Sequence, residues 1–323
     1  MATPDPSASS ASSGGCPFGY GASAAQPPET NAGQVGTPDA ATGMPTVRHM
    51  NLTYGSYLKV PELLELQTPI SVPAHHDELL FIISHQVYEL WFKQMLAELH
   101  SVCRWLDLDQ PLKAAQLLGR VHRIMHLLIE QIPLLETMFS TDFAKFRDHL
   151  RPASGFQSVQ FRKIEFLLGA KNPRILDLVG DDRGAREEMA TYLSYPTPYD
   201  HFIRHLARED NNHFEIPAGV LARDTSKPHE VDPQLVASLV RLYRTQDSPI
   251  RSGERYFAQF LVAEHLLELE EKLAIWRFHH VKMVERMIGI GLGTGGSSGA
   301  KYLASTLEYR LYPDLLSVRN ALT

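Results

Sequence analysis

Two histidines stand side by side, His279 and His280, in the stretch WRFHHVKMVERMIG from Trp276 to Gly289. An imidazole can ligate a metal, carry a proton, or fill a core with both nitrogens paired. The direction in which each ring faces decides between these uses. Neighbouring helical positions point roughly 100° apart, so the two rings cannot share a target. Leu266, Leu269, Leu273, Trp276, His280, Met283 and Met287 recur at alternating spacings of three and four and form one inward seam. His280 lies on that seam. His279 lies beside Glu268, Lys272, Lys282 and Arg286 on a charged flank, where it is expected to face water or a subunit contact. A buried histidine needs a partner for each ring nitrogen. On this helix alone two readings of His280 stand: a core histidine satisfied by a carbonyl or carboxylate, and a ligand.

A second stripe adds weight to the ligand reading. Phe81, His85, Tyr88, Phe92 and Leu96 (or Leu99) line one face of the stretch His76 to Leu106, with His85 in the middle. Two inward histidines among large apolar side chains suit a flat apolar cofactor held between helices, and haem fits best, since imidazole ligates iron and apolar walls hold the ring. Zinc would want three or four close ligands. The pairs His201/His205 in HFIRH and His122/His126 in HRIMH have i, i+4 spacing but lack the glutamate of a metalloprotease helix. The Glu-x-x-His pairs of di-iron bundles are also missing. Both i, i+4 pairs are therefore read as surface or core histidines.

Arg147 sits among aromatics in DFAKFRDHL, with Phe143 one turn earlier and Phe146 beside it. Such an arginine is either a salt-bridge partner on a helix flank or a bidentate clamp for a carboxylate in an apolar pocket. GLGTGGSSG, Gly291 to Gly299, is glycine-rich but has no lysine of a phosphate loop. It is either a connector or a lid with glycine hinges, Thr294, Ser297 and Ser298 supplying hydroxyls.

The elements that position these residues read as helices throughout. Long helices are expected over His76–Leu106, Asp109–Met138 and about Glu254–Gly289. Shorter ones are expected from Ser140 or Thr141 as N-cap, over Ser154–Gly169 with Ser154 as cap, and near Asp181–Tyr192, Tyr199–Arg208 and Val231–Gln246. Alternating strands and internal repeats are absent, so the expected class is all-α, a helical bundle with haem b held between long helices. Residues 1–47 are rich in Ala, Ser, Gly, Pro and Thr and read as a disordered tail before one domain, 48–323.

The chain has 323 residues, 44% of them hydrophobic, enough for a sizeable core. A formal net charge of -6 argues against a nucleic-acid partner. The two cysteines, Cys16 and Cys103, suggest no disulfide framework. Neither a membrane span nor a secretory signal is found, so the cytoplasm is the expected location.

Five stretches, YGSYLKVPELLELQTPIS, HDELLFIISHQVYELWFKQ, FRDHLRPASGFQSVQFRKIEFLLG, WRFHHVKMVERMIG and GTGGSSGAKYL, together resemble the tryptophan 2,3-dioxygenase family from about Asn51 to the C-terminus. The resemblance implies an all-α homotetramer that binds haem b (iron) and opens the indole ring of L-tryptophan with O2 to give N-formylkynurenine. It implies that His280 is the proximal iron ligand, with Trp276 packed beside it and Ser154 near the haem. It makes His85 the distal histidine that hydrogen-bonds the indole N–H. Phe81 and Phe143 would line the indole pocket, Arg147 would pair with the substrate carboxylate, and Thr294 would contact the ammonium group. Tyr54 and Tyr57 match residues that reach into a neighbouring subunit's site. One departure stands out: in MFSTDF, Thr141 is polar where the family usually has leucine. That change alters either the helix cap or the pocket. A reshaped pocket would suit a relative that inserts one oxygen atom into a substituted tryptophan and makes an oxindole.

Overall fold

The computed structural model describes residues 35–38, 45–47, 52–179, 183–209, 212–247, 252–289 and 300–322. The chain divides into two units, Met1–Asn51 and Leu52–Thr323. In the first, Val35–Pro38 (β1) and Pro45–Val47 (β2) pair antiparallel, with Val35 opposite Val47 and Pro38 opposite Pro45. No strand is expected there from sequence. Strands of three and four residues are too short to display an alternating pattern.

The second unit is built from helices. Tyr54–Leu58 (α1) and Val60–Leu64 (α2) are short, and Thr53 and Ser56 close a reciprocal cap on the first. His76–Asp107 (α3) and Pro111–Leu135 (α4) follow, the latter opened by a proline in its first turn. Then come Ser140–Arg147 (α5), Val159–Leu168 (α6), Arg183–Ser194 (α7), Pro198–Arg208 (α8), Ala218–Leu221 (α9) and Pro233–Arg244 (α10). Ser252–Ile288 (α11), Ala300–Ser305 (α12) and Pro313–Leu322 (α13) complete the order. The class is all-α, as the periodicity implies.

The long helices carry the core. α4 packs along both α3 and α11, and its buried residues Ala114, Leu118, Val121, Met125, Leu128, Ile132 and Leu135 recur at three and four. Each large aliphatic side chain buried this way contributes roughly 1.5–3 kcal/mol. On α11, Leu266, Leu269, Leu273, Trp276 and Met287 are buried, which confirms the inward seam, while His279 is exposed. No described helix is long and apolar enough to cross a membrane.

Two helix starts differ from expectation. The stretch from Ser154 is not one helix. Ser154 caps a single 3-10 turn, Gly155–Gln157, and the α-helix begins after Ser158, whose hydroxyl accepts from the Phe161 N–H. Two capping serines four residues apart allow either start. The Glu89 carboxylate, 2.5 Å from Ser158 Oγ, anchors the second. At α5 neither Ser140 nor Thr141 is the cap. Phe139 occupies that position with extended backbone, so no side chain caps the first turn.

Candidate functional site

α3 and α11 face each other across a cavity of about 280 Å³, close to the lower end of small-molecule pockets at roughly 300 Å³. Phe81, His85, Tyr88 and Phe92 of α3 form one wall, and Trp276, His280, Met283 and Met287 of α11 form the opposite one. α5 supplies Phe143 and Arg147, and Ser154 lies at the turn that follows. One end is closed by a cluster of Leu135, Met138, Phe146 and Met287, with Phe81, Phe143 and Met283 packed against it.

The two histidines are held differently. His85 Nδ1 lies 2.7 Å from the Phe81 carbonyl oxygen. A carbonyl only accepts, so Nδ1 carries the hydrogen and Nε2 is left as an acceptor. Burial lowers the His85 pKa against the opposing pull of that bond and of Glu89, which favours a neutral ring. His85 is exposed and lines the cavity. His280 stacks on Trp276, ring centroids 5.4 Å apart and planes at 25°. Burial pushes its pKa down to about 4, and the nearby His85 and Arg162 push the same way. Among the described residues no hydrogen bond reaches the His280 ring. A neutral imidazole aimed into an apolar hollow has the state and direction that a metal ligand needs.

Aromatic packing fixes these positions. Phe81 lies 4.1 Å from His85, 5.7 Å from Phe143 and 5.8 Å from Phe146 between centroids. Trp276 lies 5.0 Å from Phe161 and 6.2 Å from Tyr88. The Tyr88 hydroxyl donates to the Leu128 carbonyl at 2.7 Å, which ties α3 to α4 behind the cavity.

The structure thus brings Phe81, His85, Phe143, Arg147, Ser154, Trp276 and His280 to one cavity. Tyr54 and Tyr57 do not reach it. They are 79% and 71% exposed, both on the short helix α1, which has no buried residue. Thr294 lies outside the described residues, as does the whole stretch from Gly291 to Gly299. Thr141 is exposed and does not line the cavity.

Sequence reasoning missed a polar floor. Arg162, Glu165 and Arg277 line the cavity and are 6%, 2% and 5% exposed. Glu165 pairs with Arg162 through one oxygen and with Arg277 Nη2 at 2.6 Å through the other. Arg277 also donates to the Thr306 carbonyl at 3.1 Å. Two guanidinium groups against one carboxylate leave a net positive charge at the wall, suited to an anionic group. The signal was the Arg-x-x-Glu spacing in the otherwise apolar QFRKIEFLLG, which marks a buried ion pair.

The described residues fit a haem: a neutral histidine with no hydrogen-bond partner among them, an apolar slot between two helices, and an excess of positive charge at its edge.

The chain matches the tryptophan 2,3-dioxygenase family over residues 39–181 and 237–322. It is 41% identical over 283 residues to tryptophan 2,3-dioxygenase of Kineococcus radiotolerans, covering 88% of this chain and 96% of that one. It is 42% identical over 268 residues to the Saccharopolyspora erythraea protein of that name, covering 83% and 92%. The Xanthomonas oryzae pv. oryzae counterpart is 39% identical over 283 residues, covering 88% and 92%. With two histidines, an arginine and an aromatic wall around one cavity, and with this similarity over most of its length, the chain belongs to the tryptophan 2,3-dioxygenase family.

Proposed function

We propose that this chain is a haem-dependent dioxygenase that cleaves the indole C2–C3 bond of L-tryptophan with O2 to give N-formylkynurenine. The observation that carries this reading is the pair His85 and His280, neutral and facing one apolar cavity that also holds Arg147. His280 would hold the iron of haem b, with Trp276 fixing the plane of its ring and Ser154 near the haem edge. When bound, the haem activates O2 and carries the oxidation. The protein's own groups place the substrate. Phe81 and Phe143 line the indole pocket on one side and exclude water. His85 Nε2, left as an acceptor by the Phe81 carbonyl, takes the indole N–H. A neutral N–H needs no strong base, so His85 orients the ring. Arg147 clamps the carboxylate, and Thr294 meets the ammonium group. The net positive Arg162–Glu165–Arg277 group suits a haem propionate.

The exposed apolar face of α1 and α2 supports a homotetramer in which Tyr54 and Tyr57 complete a neighbouring subunit's site. The cytoplasm is the location we assign. The deciding experiment gives anaerobic ferrous holoenzyme L-tryptophan, then O2, and weighs the product. A gain of two oxygen atoms supports the dioxygenase. A gain of one, as in an oxindole, or none overturns it. Thr141, which raised the one-atom alternative, is off the cavity, so no described pocket residue favours that outcome.

A further inference from the structure

Away from the cavity, a second cluster of metal-type ligands bridges the two most closely packed helices. His122 of α4 and His265 and Glu268 of α11 each offer one ligand atom, all within 4.8 Å of one another. This is the one such group of three or more among the described residues. Glu268 Oε2 lies 2.8 Å from His122 Nδ1 and 3.5 Å from His265 Nδ1. The two imidazoles meet edge to face, centroids 4.9 Å apart at 70°. Ligand atoms around a tetrahedral zinc ion with bonds of 2.0–2.1 Å sit about 3.3 Å apart. The observed spacings bracket that value.

We propose that His122, His265 and Glu268 bind a divalent transition-metal ion, with water completing the coordination, at a site separate from the haem cavity. His265 lies 15 residues before His280 on one continuous helix, so the centres are about 22 Å apart along its axis.

Two further observations point to a ligand. His122 is 4% exposed; Glu268 Oε2 approaches its Nδ1 at 2.8 Å, while its Nε2 has no hydrogen-bond partner among the described residues. A buried imidazole in that condition is costly unless something else uses its lone pair. The carboxylate is also divided between tasks. Oε2 faces both histidines, while Oε1 lies 3.1 Å from Lys272 Nζ, which itself lies 3.1 Å from His126 Nε2. Lys272 therefore orients Glu268 from behind and leaves Oε2 for the ion, the arrangement by which outer partners fix a metal ligand.

The ligand set names the class of ion. Two imidazoles and one carboxylate suit zinc, cobalt or nickel rather than calcium or magnesium, which take oxygen ligands. His265 and Glu268 have side chains 26% and 43% exposed, so the ion can enter from solvent. Along the sequence HRIMH suggested no site, because the partners of His122 come from another helix.

The test uses full-length holoenzyme equilibrated with zinc chloride, gel-filtered and analysed for metal by mass spectrometry. Isothermal titration supplies the affinity. Wild type is expected to retain one more zinc per chain than His265→Ala and to bind that zinc more tightly by more than the roughly 10- to 100-fold effect of an outer-shell change. Glu268→Gln is the second variant, since it keeps the side chain's size and both helices. Zinc should raise the Tm of wild type and leave that of both variants unmoved, which separates loss of a ligand from loss of the fold. Equal zinc retention by wild type and His265→Ala, or no zinc on wild type, overturns the proposal.

Discussion

Histidines at two places in this bundle meet opposite fates. Around α8 each buried ring is tied to a carboxylate. His201 Nδ1 lies 2.7 Å from Asp107 and His205 Nδ1 2.9 Å from Asp109. Asp200 gathers Arg223 at 2.7 Å, the Thr197 hydroxyl at 2.7 Å and His229 at 3.4 Å. At the cavity, His280 meets no such partner and His85 spends one nitrogen on a backbone carbonyl. The residue type is the same. In the first region histidine holds the fold together, and in the second the fold holds histidine ready for something else.

This contrast can be broken at either end. The largest effect falls on His280→Ala, which should abolish haem retention and activity while leaving the Tm of the haem-free protein within a few degrees of wild type. Haem absorbance and calorimetry on the same preparation test both halves. A variant with normal haem content would sink the ligand assignment. Asp200→Asn should do the reverse. It leaves half-buried Arg223 and buried His229 without their shared, buried carboxylate and should cost about 3–5 kcal/mol in denaturant unfolding, with turnover per folded molecule unchanged.

The Asp200 effect has a pH signature. Burial raises the Asp200 pKa, but His229, Arg223 and Thr197 outweigh it and hold the carboxyl well below the usual range. The folded pKa lies below the unfolded one, so the ionised group's stabilisation is complete above about pH 4 and is lost as pH falls. The stability gap between wild type and Asp200→Asn should therefore narrow in acid. A gap that stays constant down to pH 3 would contradict this.

Arg147→Leu is expected to lower kcat/KM for tryptophan roughly 10- to 150-fold, the worth of about 1.5–3 kcal/mol for a hydrogen bond to a charged group. Turnover of tryptamine, which lacks the carboxylate, should be unaffected by the change. An equal loss on both substrates would give Arg147 a structural role instead. The smallest effect belongs to His279→Ala. Its ring is exposed, and stability should stay within about 0.5 kcal/mol by thermal unfolding.

Much of the frame was legible before the structure. The spacing of three and four along α11 separated His280 from His279, because a seam that buries Leu269 and Leu273 must carry His280 with it. Helix starts were read less well. Ser154 and Ser158 are both good caps, and only the contact of Ser158 with Glu89, on another helix, selects between them. The Arg162–Glu165–Arg277 group escaped because Arg277 comes from α11 and the other two residues from α6. Thr141 drew attention as a departure in sequence, yet its side chain turns outward.

The sequence by itself determined the all-α class, the inward faces of α3 and α11, and the two histidines on them. Helical periodicity is local, and burial acts on every turn of a helix in the same way. Tertiary structure alone decided which inward groups meet. His85 and His280 come to one hollow, His201 meets Asp107, and His122 finds Glu268 and His265 across a helix pair. Spacing along one helix fixes the direction of a side chain, but whether a carboxylate, an ion or an open cavity lies there depends on the element packed opposite.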